Sequence, residues 1–188
     1  MNKTKKVIFE SGIKIFSIYG YDGATMDEIA SNAGVAKGTL YYHFKSKQEI
    51  FEYIVEEGMK IIQDEVEYRV NRQEECICKL RTLCKTQLNL LYQNREFFKV
   101  IMSHLCGQEI RNLQIRNVIQ TYIEFIEEIL KEAMNEGKIK KGKPSFMAYI
   151  FLGTLYSAEV YELINGNEQE VDEVIDELMT YTLKGIEI

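Results

Sequence analysis

The sequence predicts an all-α chain of about nine helices, a small N-terminal three-helix module followed by a larger helical domain. Three observations carry that prediction. Of 188 residues, 46% are apolar and 28% charged, with one proline (Pro144) and no tryptophan; this balance suits a packed globular chain, and sparse proline leaves long helices unbroken. Apolar residues recur at three- and four-residue spacing over most of the length, and no stretch alternates cleanly enough for a strand. Helix starts are marked by capping residues and helix ends by glycine or asparagine. A chain of this length buries a core without needing disulfides.

In chain order, Ile8, Gly12, Ile15, Phe16 and Tyr19 share one helical face, and Gly20 and Gly23 end that helix. Thr25-Met-Asp-Glu28 is a capping box, in which the Thr hydroxyl takes a free backbone N–H and Glu28 reaches back. The helix it opens runs from Met26 to Ala33 and stops at Gly34, where the turn calls for positive φ. Ser46-Lys-Gln-Glu49 is a second capping box, opening a helix with Ile50, Phe51, Ile54, Ile61, Ile62 and Val66 on its apolar stripe. Helical segments follow near 74–93, 96–106, 109–135, 145–164 and 169–184. They are separated by Asn94-Arg95, Gly107, the lysine-rich stretch from Gly137 to Pro144, and Asn165-Gly-Asn167.

Composition excludes several classes. The basic start is interrupted at once by Glu10 and Lys14, so no secretory leader is expected. The longest uncharged run, Pro144 to Ala158, is 15 residues and too short to span a bilayer. Cys76, Cys78, Cys84 and Cys106 then read as free thiols of a reducing compartment. Net charge is -6, but residues 1–50 hold seven Lys/Arg against five Asp/Glu, and the rest hold 16 against 24. A small basic module is joined to a larger acidic one.

The basic module holds the chemistry. Between Glu28 and Glu49 there is no acid, while Lys37, His43, Lys45 and Lys47 fall inside. Two short helices meet at Gly34 around Ile29, Ala33, Val35, Leu40 and Phe44, which is the sequence form of a helix-turn-helix. Its second helix presents Lys37, Thr39, Tyr41, Tyr42 and His43. Adjacent positions point about 100° apart, so at most one of the two tyrosines faces a core. Gly38, costly within a helix, reads either as room for close backbone approach or as a tolerated turn residue. Lys3, Lys5 and Lys6 read equally as an arm along DNA and as a solvated terminus.

The string Lys37-Gly-Thr-Leu-Tyr-Tyr-His-Phe-Lys45-Ser-Lys-Gln-Glu49 resembles the TetR-family transcriptional regulators, specifically over residues 5–55 and beyond them by length and helical layout. The resemblance implies a DNA-binding domain at 1–48 and a ligand-binding and dimerisation domain at 49–188. It implies that Thr25 touches a phosphate, that Lys37, Gly38 and Thr39 read base edges or nearby backbone, and that Tyr41 meets bases. Tyr42, His43 and Lys47 are then phosphate contacts. No arginine lies in the segment, so bidentate guanine reading is absent, and Lys37, Thr39 and DNA shape carry specificity. The partners implied are a palindromic double-stranded operator, a second copy of the chain and a small-molecule effector that relieves repression. The setting is cytoplasmic and apart from membranes, with no cofactor, metal or catalytic residue.

Candidate effector contacts are Tyr92, Phe98, Met102, Tyr122, Phe125, Tyr149 and Tyr156, with Glu159 selecting a cation or Arg116 an anion. Each reads also as ordinary core or surface. A dimer surface is expected from Gly153 in the uncharged run and from Val171, Val174, Ile175, Leu178 and Met179, which repeat at i, i+3, i+4, i+7 and i+8. Both stripes facing one intramolecular core is the alternative. Cys76-Ile-Cys78 sets its sulfurs about 200° apart on a helix, poor for joint metal ligation, and buried structural thiols are the favoured reading. A thiol-responsive regulator and a small helical enzyme stand as rivals. The enzyme lacks any nucleophile motif or phosphate loop.

Overall fold

The computed structural model describes residues 2–105, 113–165 and 171–184. Among them are nine helices and no strand: α1 (Lys3–Gly23), α2 (Met26–Ala33), α3 (Lys37–His43), α4 (Lys47–Val70), α5 (Cys76–Gln93), α6 (Arg95–Leu105), α7 (Leu113–Asn135), α8 (Pro144–Asn165) and α9 (Val171–Lys184). The expected starts and stops fall within a few residues of these bounds. Cys106 lies outside the described residues, as do the side chains of Met102 and His104.

Two compact units form, Met1–Lys60 with Asn94–Arg116, and Ile61–Gln93 with Asn117–Ile188. In the first, Ile8, Ile15 and Phe16 of α1, Ile29 of α2, Leu40 of α3 and Ile50, Phe51 and Ile54 of α4 are buried. Ser11 is buried among them and donates to the Ile29 carbonyl at 2.8 Å, tying α1 to α2. A helix further along the chain completes this unit: α6 packs on α1 and buries Phe97 and Phe98. Gly58 of α4 makes room for it, since a Cβ there would stand 2.0 Å from Phe97 Cζ. Position 48, where the domain boundary was expected, lies inside the uninterrupted α4.

Two residues of the expected stripes are exposed. Tyr19 precedes Gly20, whose φ of 69° and ψ of 175° turn the backbone out of the helix. Ile61 is 50% exposed where α4 leaves the first unit's core. Lys3, Lys5 and Lys6 belong to the first turn of α1 rather than to an extended arm. Lys5 stands over the Phe44 and Tyr53 rings at 5.5 and 4.9 Å.

In the second unit α5 packs on α8 and α9, burying Leu80, Leu83, Leu88 and Leu91 of α5, Phe151 and Leu155 of α8 and Ile175 of α9, while α7 buries Ile123, Ile126 and Leu130. The α9 stripe corrects the expectation of a dimer surface there. Val174, Ile175, Leu178 and Met179 are buried within the single chain, because α9 lays this face on α5 and α8; Val171 is half-buried. Arg81 and Lys85 of α5 pair with Asp176 and Asp172 of α9 beside that seam. Gly153 remains exposed on the outer face of α8.

Candidate nucleic-acid interface

Thr25 caps α2 as the sequence requires. Its hydroxyl oxygen accepts from the Glu28 N–H at 3.2 Å, and its own N–H donates to Glu28 Oε2 at 2.9 Å. The Thr25 hydroxyl proton is also given to Glu28 Oε2, at 2.7 Å, so a phosphate at this exposed residue must win it from the carboxylate. Gly34 then closes α2 with φ 66° and ψ 29°, its N–H reaching the Ala30 and Ser31 carbonyls while Val35 N–H returns to Ala30. That left-handed turn is nearly free of strain only for glycine. The second capping box is shifted: Glu49 N–H reaches Ser46 Oγ at 3.2 Å, but the Glu49 carboxylate takes the N–H of Lys45, not that of Ser46.

Two anchors hold α3. Leu40 is fully buried and Phe44, at the C-cap, nearly so; the rest of the helix is turned outward. Tyr42 is 77% exposed and Tyr41 45%, so neither is a core aromatic. Tyr42 and His43 lie edge to face with centroids 5.1 Å apart. Thr39 and His43 are half-buried, and Gly38 is exposed, with nothing within 4 Å of an added Cβ. The chain itself therefore does not require glycine at position 38.

The cations are less free than the sequence suggests. Asp27, on α2, pairs with Lys37, and this carboxylate's hydrogen bond is the main reason the ammonium pKa rises above its ordinary value. Sequence inspection missed the pair because the residues are ten apart and only the Gly34 turn brings them together. Lys47 donates to the Asp22 and Ala24 carbonyls at 3.1 and 2.9 Å and stands 4.7 Å above the Tyr21 ring. Two of its three protons are engaged in holding the α1–α2 turn. Lys37 remains on the outward face of α3, which presents hydroxyls, an imidazole and an ammonium group of the kind that fix register on phosphates.

The expected effector contacts do not gather into one set. Phe98 belongs to the first unit and meets Phe97 edge to face at 5.8 Å. Tyr149 is a correction: it is 53% exposed on the outside of α8, its hydroxyl donating to Gln120 Oε1 at 3.2 Å. Phe125 is half-buried beside a groove of α5 and α7, Tyr156 is half-buried, and Arg116 is exposed. Half-buried Tyr92 donates to the buried Glu162.

Tyr122 and Glu159 do come together, through a residue the sequence reading passed over. The buried Tyr122 hydroxyl donates to Gln87 Oε1, and Gln87 hydrogen-bonds Glu159 in turn. Burial pushes the Glu159 carboxyl up to about 8, against the pull of that hydrogen bond, and its Oε1 has no hydrogen-bond partner. Burial, with Glu159 nearby, also raises the Cys84 thiol and the Tyr122 hydroxyl. Gln87 sits on the same helical stripe as Leu83, Cys84, Leu88 and Leu91, so its position on the face was the available signal.

Comparison with known proteins matches residues 8–54 to the bacterial regulatory proteins of the tetR family, and residues 55–164 to the YsiA-like protein C-terminal region. A solved Clostridium perfringens protein, provisionally named a fatty acid metabolism regulator, is 47% identical with a TM-score of 0.84; the match covers 97% of this chain and 99% of that one. The fatty acid metabolism regulator protein of Bacillus subtilis is 23% identical, covering 95% of this chain and 93% of its own. The fold is also that of the transcriptional regulator FadR from Bacillus subtilis solved in complex with stearoyl-CoA, at 21% identity and a TM-score of 0.88 over 96% of this chain and 98% of that one. With residues 8–164 matched across these two models, the chain belongs to the TetR family of bacterial transcriptional regulators.

Proposed function

We propose that the protein is a homodimeric repressor, acting on DNA in the cytoplasm, that binds a palindromic operator through α3 and is released by an acyl thioester of coenzyme A. The observation that carries the DNA reading is the outward face of α3 from Lys37 to His43, which has no acidic residue of its own and is held on Leu40 and Phe44. The effector class is supported by relatives named as fatty acid metabolism regulators and by the stearoyl-CoA complex of a like-folded one. Such an effector works only through unequal affinity for the DNA-competent and incompetent states. Buried Cys76 and Cys84 give a thiol sensor little help, because burial raises both thiols and the thiolate is the reactive form, whereas Cys78 is exposed beside Glu75 and departs from the expectation of a buried thiol.

The base-facing roles go to Lys37, Gly38, Thr39 and Tyr41, and the phosphate roles to Thr25, Tyr42, His43 and Lys47. The dimer surface we assign to the outer face of α8, where Phe146, Tyr149, Ile150, Tyr161 and Ile164 are exposed around Gly153. The test is fluorescence anisotropy on duplex DNA from upstream of the protein's own gene, with stearoyl-CoA, isovaleryl-CoA or stearate added. Specific binding reversed by one of the thioesters is expected. Binding no tighter than to random duplex, or indifference to both thioesters, overturns the reading.

A further inference from the structure

Charge separates three grooves on the second unit. One of about 410 Å³ between α8 and α9 is lined by Glu162 and Glu177 and no cation. Another, of about 650 Å³ along α5 and α7, sets Lys79 and Lys131 against Glu128, Glu132 and Glu136. The third, of about 440 Å³, lies between the C-terminal end of α4 and α5. Arg69, Arg72 and Lys85 line it against Glu65, with Tyr68 and Asn89 beside them. It is a positive spot in the part of the chain that holds 16 Lys/Arg against 24 Asp/Glu.

Its cations are held in readiness. Arg69 Nε is 2.5 Å from Glu65 Oε1 in a partly solvated pair within α4, and Lys85 meets Asp172 in an exposed one. No described carboxylate stands within ion-pair distance of Arg72. Its guanidinium lies 5.4 Å from the Tyr68 ring centre and donates to the Tyr68 hydroxyl at 2.8 Å. Exposed ion pairs contribute little, whereas a phosphate takes an arginine fork through two parallel hydrogen bonds. A phosphate therefore displaces Glu65 readily. Tyr68 is 61% exposed and offers ring surface to a base, and Gln73, Thr82 and Asn89 add neutral donors and acceptors.

We propose that this groove takes the phosphorylated nucleotide end of an acyl-coenzyme A, with Arg69, Arg72 and Lys85 on its phosphates and Tyr68 against its base. The assignment rests on the acyl-thioester reading given above. Cations at the end of α4 also complement its last carbonyls, and that role alone shows in thermal stability without touching ligand affinity.

Isothermal titration of the full-length protein with stearoyl-CoA, stearate and adenosine 3′,5′-bisphosphate tests it, comparing wild type with Arg69→Gln/Arg72→Gln and with Lys131→Gln from the groove along α5 and α7. The double variant is expected to bind stearoyl-CoA roughly 30-fold more weakly and with a shallower salt dependence. Stearate affinity, effector-free operator affinity and the Lys131→Gln variant should match wild type. If stearoyl-CoA releases the operator and the double variant binds it as wild type does, the groove is wrong and the effector class stands. If wild type ignores every acyl thioester, the effector class falls and the groove assignment with it. Adenosine 3′,5′-bisphosphate binding as tightly as stearoyl-CoA overturns the proposal in favour of a free-nucleotide site.

Discussion

Gly38 sits near the start of α3 where an added methyl meets open space, so its lack of a side chain serves nothing inside the chain. Replacing glycine by alanine in a helix gains up to about 1 kcal/mol. Gly38→Ala is therefore expected to raise the urea midpoint while weakening the operator complex at least several-fold; equal affinity with higher stability removes position 38 from the interface. Glu159 gives a residue-scale prediction of another kind. The folded carboxyl loses its proton near pH 8, the unfolded one near 4.5. Between those values the folded state holds a proton that the unfolded state lacks, so stability falls as pH rises through the window and levels off above it. Cys84 of α5, Tyr122 of α7 and Glu67 of α4 bear on this cluster; the thiol and phenol are raised by burial and stay protonated across the window. Glu159→Gln should flatten the dependence, its advantage over wild type growing by up to about 1.4 kcal/mol per pH unit from 5 to 8. Parallel unfolding curves for the two proteins at pH 5, 6.5 and 8 contradict a buried neutral carboxyl.

Among elements, the seat of α6 depends on one missing side chain. A Cβ at Gly58 stands 2.0 Å from Phe97 Cζ, so Gly58→Ala must push α6 from α4 or turn the ring off its rotamer. Overpacking of this kind costs about 1–3 kcal/mol. Gly58→Ala/Phe97→Leu should recover part of it, and denaturant unfolding that shows strictly additive losses rules the contact out as the cause. The sequence did not disclose this contact, nor that α6 joins the first unit by packing on α1, because both arise between residues far apart in the chain. What it did disclose was local. Thr25 with Glu28 and Gly34 mark α2 because caps and left-handed turns act within one turn of helix. Amphipathic spacing on α9 marked Val174, Ile175, Leu178 and Met179 as buried, but a period of 3.6 residues cannot say whether the cover is the same chain or another. The same ambiguity turned Tyr149 from expected lining into outer surface and hid Gln87 among leucines.

For the whole molecule, the decisive feature is the outer face of α8. Phe146, Tyr149, Ile150, Tyr161 and Ile164 are exposed at helical spacing, and an added Cβ at Gly153 meets nothing from its own chain. A contiguous apolar face of this kind is unusual on a lone soluble chain. On the interface proposed above, two-fold pairing lays it against itself, with glycine allowing the helices close approach. One recognition helix reaches few base edges, so useful affinity comes from two half-sites one helical turn apart held by a fixed dimer. Ile150→Glu/Tyr161→Glu adds two carboxylates per protomer to a face that already carries Glu162 and Glu177 in its neighbouring groove. Both substituted positions are about half-exposed or more, so each folded chain tolerates them, while the paired form must bury four new charges. Sedimentation equilibrium should show a helical monomer, and operator affinity should fall about 100-fold or more as the second half-site is lost. Lys140→Glu, an equal change of net charge on the exposed stretch before α8, should leave the dimer intact. A double variant that still sediments as a dimer moves the interface off α8, and a monomer that keeps full operator affinity breaks the link between pairing and DNA recognition.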